Sequence, residues 1–182
     1  SFPEHSKEIS ELFIKECPGS SPSSSVARAL KLTSVFGNEL ILRHQADWIS
    51  GWLLNNWEYG EEGNNLRMGW DISKNSWPKT FEKLRWKNSL PKIVPSGTIF
   101  GNISTKLATK LNLPKSLKIV AGTTDSNAGV LATFPKGSDG ITILGSTIVI
   151  KKFVNSPIKG KGISNHKLLG NWLCGGASNS GG

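Results

Sequence analysis

Asp125 stands in the run Leu117 to Gly129, LKIVAGTTDSNAG, where a short apolar stretch ends in Gly122 and hydroxyl-bearing and small residues follow. The pattern predicts a buried strand, a tight turn and a helix start, with a lone carboxylate at the junction. Active sites of open α/β sheets lie at such places, outside the carboxyl ends of strands. Two roles compete for Asp125. Aspartate is a preferred helix cap, its carboxylate accepting backbone N–H bonds. At a helix N-terminus it also stays anionic, because the macrodipole favours negative charge. That makes it a poor base for a demanding proton abstraction but suits phosphoryl transfer, where the transition state is loose and the carboxylate mainly orients the attacking hydroxyl.

Two further sites are built from small residues. In Gly145-Ser146-Thr147, glycine lets a ligand approach the backbone, and the hydroxyl and N–H groups can hold phosphate oxygens. The competing reading is an ordinary hairpin turn. Gly175, Gly176 and the run Ser178 to Gly182 form a third glycine-rich stretch, which fits neither GxGxxG nor the P-loop pattern. The histidines add no catalytic arrangement: His5, His44 and His166 are expected in surface or structural roles, with His44 in a helix beside Asp47 and His166 in a loop.

These residues need elements to hold them. Residues 7 to 17 have helical spacing, and Pro18 to Ser25 is a loop by composition. Leu40 to Leu54 predicts a helix whose apolar face carries Ala46, Ile49 and Leu53 with the core pair Trp48 and Trp52. Glu58 to Asn65 is turn-rich. A short strand over 96–101 precedes a helix over 102–111, ended by Asn112 and Pro114. The strand Leu117 to Ala121 leads through the Asp125 turn into a helix reaching Ala132. Pro135 to Ser138 is the candidate linker. Beyond it, Gly140 to Phe153 predicts two strands joined by a two-residue Gly145-Ser146 turn, and a strand forms around Trp172 before glycine-rich backbone. The change from helix-rich to hairpin-rich sequence places a domain boundary at about residue 134.

Composition sets outer bounds. The chain has 182 residues, 37% of them hydrophobic and 19% charged, the profile of an ordinary globular chain. It holds no apolar run long enough for a transmembrane helix and no secretory signal pattern. Its two cysteines, Cys17 and Cys174, lie far apart, which argues against a zinc site or disulfide scaffold and for reduced thiols. The net charge is +9, yet the basic residues are scattered. Even the densest set, Lys151, Lys152, Lys159 and Lys161, reads as a solvated face rather than a nucleic-acid surface. The only methionine is Met68, and the last residues end inside GGASNSGG, so both ends read as cut and a piece of a larger protein is expected.

Taken in order, GTTDSNAG at Gly122 to Gly129, ITILGSTIVIKKF at Ile141 to Phe153 and NWLCGGASNSGG at Asn171 to Gly182 resemble the FGGY carbohydrate kinase family. HQADWISGWL at His44 to Leu53, NNLRMGWD at Asn64 to Asp71 and LPKIVPSGTIFGNIS at Leu90 to Ser104 also fit its central region. The wording GTTDS, LGST and GGASN is most similar to the branch of cyanobacterial and plant D-ribulose kinases often labelled xylulose kinase-like. The resemblance implies a partial α/β actin-like ATPase, ribonuclease H-like fold. Residues 1–134 would be the later part of the N-terminal sugar-binding domain and 135–182 the start of the C-terminal ATP-binding domain, with sugar and ATP meeting in a cleft.

Carried over by that resemblance, Asp125 is the catalytic base and faces the sugar hydroxyl, and Ser126 contacts the sugar. Gly145, Ser146 and Thr147 match the motif that holds the β- and γ-phosphates of ATP, and Gly176 and Ser180 match a segment beside the nucleotide. The tyrosine that glycerol kinases use for substrate has no match near Glu62 to Asn65, which favours a pentulose. The implied function is transfer of the γ-phosphate of ATP, with Mg²⁺, to a hydroxyl of a ketopentose such as D-ribulose or D-xylulose. The first phosphate loop and the adenosine loop have no counterpart in the chain, so by itself it is expected to be inactive. The expected partners are a small sugar and ATP, not nucleic acid or a membrane; a homo-oligomer is left open. The expected location is cytoplasmic, or plastid in a plant. The alternative is a non-catalytic actin-like module that binds sugar or nucleotide.

Overall fold

The computed structural model describes residues 1–13, 17–137 and 139–178. They divide into two units, Ser1–Gly122 and Thr123–Gly182. The division falls ahead of the composition change at Pro135, because the helix that follows Thr124 packs on the strands that come after it.

In the first unit, α1 (Ser6–Leu12) and α2 (Ser25–Phe36) bury Ile9, Leu12, Val26, Ala27, Ala29 and Leu30 with Met68, Phe81 and Trp86. Buried Ser24 caps α2, its hydroxyl accepting from the Ala27 N–H at 3.2 Å, and Gly37 ends it at φ 86°, a conformation glycine adopts without strain. Of the helix expected over 7–17, residues 14–16 lie outside the described residues.

The third helix, α3 (Gln45–Leu54), is shorter than predicted and turns a different face inward. His44 is its N-cap rather than a residue within it. Asp47 and Gly51 are its buried positions, whereas Trp48 and Trp52 are 49% and 41% exposed and Ile49 is exposed as well. The expectation that the two tryptophans lie in the core is therefore corrected. Gly51 is buried because the Trp57 ring occupies the space a Cβ would need. The loop expected at Glu58 to Asn65 contains a short strand, β1 (Tyr59–Glu61), paired in parallel with β2 (Lys92–Val94). Next, β3 (Ile99–Asn102) pairs antiparallel with β4 (Lys118–Val120), and α4 (Thr105–Lys110) lies between them in sequence. Ile103, Ala108 and Ile119 close a small core with Leu53 and Leu54. Of the predicted buried strand, Ile119 and Ala121 are buried, whereas Leu117, Lys118 and Val120 are exposed.

The second unit is one helix, α5 (Asp125–Ala132), on an antiparallel sheet made of β5 (Gly140–Ile143), β6 (Ile148–Val154), β7 (Ile163–Leu168) and β8 (Asn171–Ser178), in the order β5-β6-β8-β7. Val130 of α5 is fully buried against Ile141, Leu168 and Leu173, with Leu131, Ile143 and Phe153 packed around them. Alternation along β6 turns Ile150 and Lys152 outward and Lys151 and Phe153 inward. The β5–β6 connection is the four residues Leu144 to Thr147, longer than the predicted two-residue turn, and Gly145 is not in the left-handed region. His166 lies in β7 rather than in a loop, and β8 continues through both Gly175 and Gly176.

Candidate functional site

The residues expected to carry chemistry fall in the second unit. Thr124, extended at φ −69° and ψ 152°, is the N-cap of α5, and its carbonyl accepts the Asn127 and Ala128 N–H groups at 3.0 and 2.9 Å. Asp125 is therefore the first residue of the helix rather than its cap. Its side chain is exposed, and one carboxylate oxygen accepts the Ser126 N–H at 2.7 Å. Such a carboxylate can accept a bond from a hydroxyl group brought to it. Ser126 is half-buried beside it.

Gly145 and Ser146 are exposed on the β5–β6 turn, and Thr147 is half-buried. A glycine and two hydroxyl residues there suit an anionic ligand, beside Leu144, which is 78% exposed. Gly176 sits within the sheet, paired with Ile150 of β6 and Ile163 of β7. A Cβ there would meet the Gly162 carbonyl oxygen at 3.4 Å. Ser180 lies outside the described residues.

Sequence reasoning missed what lies under the first turn of α5. Lys151, expected on a solvated face, is 4% exposed and donates to the Asn127 Oδ1. Burial lowers the pKa of its ammonium, and the Asp125 carboxylate partly restores it. His166, on the same face of the sheet, is pushed down to about 4 by burial and by the Lys151 charge, so it is neutral near pH 7. The period-2 pattern of β6 was the available signal: Lys151 shares a face with Phe153.

The first unit holds a different polar cluster, also missed. Asp47 accepts from the Glu61 N–H at 3.1 Å and the Asn65 side-chain amide at 2.8 Å, and the Asn64 amide approaches at 3.4 Å. Glu61 accepts from Gly63 N at 2.9 Å, Asn64 N at 2.7 Å and Ser96 Oγ at 2.6 Å. Both carboxylates are buried, and burial raises the pKa of each; the donors oppose that rise. Their oxygens are committed to holding the loop after β1.

A concavity of about 360 Å³ in the second unit is lined by Pro135, Gly137, Phe153, Val154, Asn155 and Asn171, none of them a predicted site residue. Among the described residues, no cluster of three or more His, Cys, Asp or Glu could hold a metal ion, and no helix is long and apolar enough to cross a membrane.

No protein-family model matches the chain. Solved structures do. The chain is similar to ligand-bound xylulose kinase from Lactobacillus acidophilus (TM-score 0.77, 19% identity, 98% of this chain and 38% of that one). It is also similar to xylulose kinase from Rhodospirillum rubrum (TM-score 0.79, 16% identity, 97% and 39%). A third match is Plasmodium falciparum glycerol kinase with ADP (TM-score 0.63, 13% identity, 94% and 39%). The fold is thus that of the carbohydrate kinases, the α/β actin-like ATPase fold, over part of its extent. The chain spans about two fifths of the length of these structures.

Proposed function

We propose that this chain is the central part of an ATP- and Mg²⁺-dependent sugar kinase that phosphorylates a hydroxyl of a ketopentose such as D-ribulose or D-xylulose. The observation that carries the reading is Asp125. It is an exposed carboxylate at the first position of a helix, in a chain with the fold of sugar kinases. In this reading the sugar hydroxyl hydrogen-bonds to the Asp125 carboxylate, which aligns its oxygen for in-line attack on the γ-phosphorus. The new O–P bond forms as the bond to the bridging oxygen of ADP breaks, and the hydroxyl proton passes to Asp125.

Ser126 contacts the sugar. Gly145, Ser146 and Thr147 receive the β- and γ-phosphates, and Gly176 and Ser180 lie beside the nucleotide. Residues 1–134 belong to the sugar-binding part and 135–182 to the ATP-binding part. Mg²⁺ would be held with the phosphates of ATP.

The test is a coupled ADP-release assay of the full-length protein with ribulose, xylulose, ribitol and glycerol. ADP release stimulated by a ketopentose above the two polyols is the expected result. Sugar binding without stimulated ADP release would establish the non-catalytic module instead.

A further inference from the structure

The proposed base lies above a buried charge that the mechanism does not use. Lys151 is 4% exposed on the inner face of β6. Removing a charge from water is costly unless it is compensated, so an ammonium at this depth needs a partner and a reason. Its hydrogen-bond partner is the Oδ1 of Asn127, itself 0% exposed, and the Asn127 amide donates in turn to Thr123 Oγ1 at 3.3 Å. Lys151 thereby grips residues on both sides of Asp125: Thr123 ahead of the helix and Asn127 within its first turn.

The sheet is built to admit this side chain. Gly175 is the residue opposite Lys151 on β8, and a Cβ there would lie 2.9 Å from the Lys151 Cγ and would run into the Ile150 carbonyl oxygen. The other neighbours supply little charge. On β5 the opposite residue is Ile141. From β7, His166 faces the same side, and the proximity of Lys151 disfavours its protonated form. The negative charge that acts on Lys151 is the Asp125 carboxylate.

We propose that Lys151 is a positioning residue for Asp125: a buried cation that, through Asn127, holds the first turn of α5 and sets the place and orientation of the carboxylate that receives the sugar hydroxyl. The inference rests on the kinase reading of Asp125 and extends it to a residue that touches neither substrate.

The test is steady-state kinetics of the full-length enzyme from about pH 6 to about pH 10, with Asp125→Asn measured in parallel. Lys151→Gln keeps a donor for Asn127 and removes the charge; Lys151→Met is the second variant. In both, kcat is expected to fall about tenfold while the sugar KM stays within about twofold. Burial lowers the Lys151 pKa, so the alkaline side of the kcat profile is expected to differ between the parent and both variants. Unchanged kcat and an unchanged alkaline limb beside an inactive Asp125→Asn would overturn the inference and leave the role of Asp125 standing. Full activity of Asp125→Asn would remove the reading beneath both. If neither Lys151 variant folds while Asp125→Asn does, the lysine is a core support only, and the inference is likewise overturned.

Discussion

Glu61 in the first unit and Asp125 in the second are both carboxylates at the edge of an element, and their surroundings are opposite. Glu61 is 1% exposed and accepts from two backbone N–H groups and a serine hydroxyl, and its neighbour Asp47 is similarly occupied. Asp125 is exposed, accepts the N–H of the residue after it, and has a buried cation beneath its helix turn. Saturation with donors from its own chain turns a carboxylate into a fastener. An exposed carboxylate on a supported helix start retains acceptor capacity for a ligand. The comparison separates architecture from chemistry where residue type alone does not.

Substitutions in the full-length protein can break or sharpen that contrast. The largest effect belongs to Asp125→Asn, which keeps shape and loses the charge. Its kcat in the ADP-release assay should fall at least about 10³-fold, within the range for a lost general base, with the melting temperature nearly unchanged. A loss of stability instead would make Asp125 a fastener too. Glu61→Ala should do the reverse. It strands the Gly63 and Asn64 N–H groups and the Ser96 hydroxyl, at a cost of about 3 kcal/mol in denaturant unfolding. The folded fraction that remains should turn over normally.

The smallest effect is a pH dependence in the second unit. Below its ordinary value of 6.5 an unfolded His166 takes up a proton that the folded chain refuses until about pH 4. The unfolded state then binds more protons, so acidification destabilises the fold. Between pH 7 and pH 5 the loss should be about 2 kcal/mol, and His166→Gln should flatten the slope in unfolding measurements at the two pH values.

Much of the second unit was legible in the sequence because its signals are local. β-branched residues on both sides of a glycine-serine turn gave the β5–β6 hairpin, and the hydroxyl residues after Gly122 gave the start of α5. What failed depended on neighbours distant in sequence. Helical periodicity put Trp48 and Trp52 inside, but α3 is apolar on more than one side, and the donors of Asn64, Asn65 and the Glu61 backbone drew Asp47 inward instead. Lys151 read as solvated because a run of basic residues usually is; that its partner on the next strand is a glycine depends on register, which composition does not reveal. Asp125 itself was legible as a helix start but not as position one rather than the cap, a difference of a single residue decided by the extended backbone of Thr124.

The strand order β5-β6-β8-β7 also has a consequence for synthesis. β8 follows β7 in the chain but sits between it and β6, pairing with both. A ribosome delivers β6 and β7 before the strand that joins them, so each waits with an open edge, the state in which strands pair with the wrong neighbour. Gly175 arrives with β8, so the seat of Lys151 is completed late, and α5 gains its full support only when the middle of the sheet has been filled.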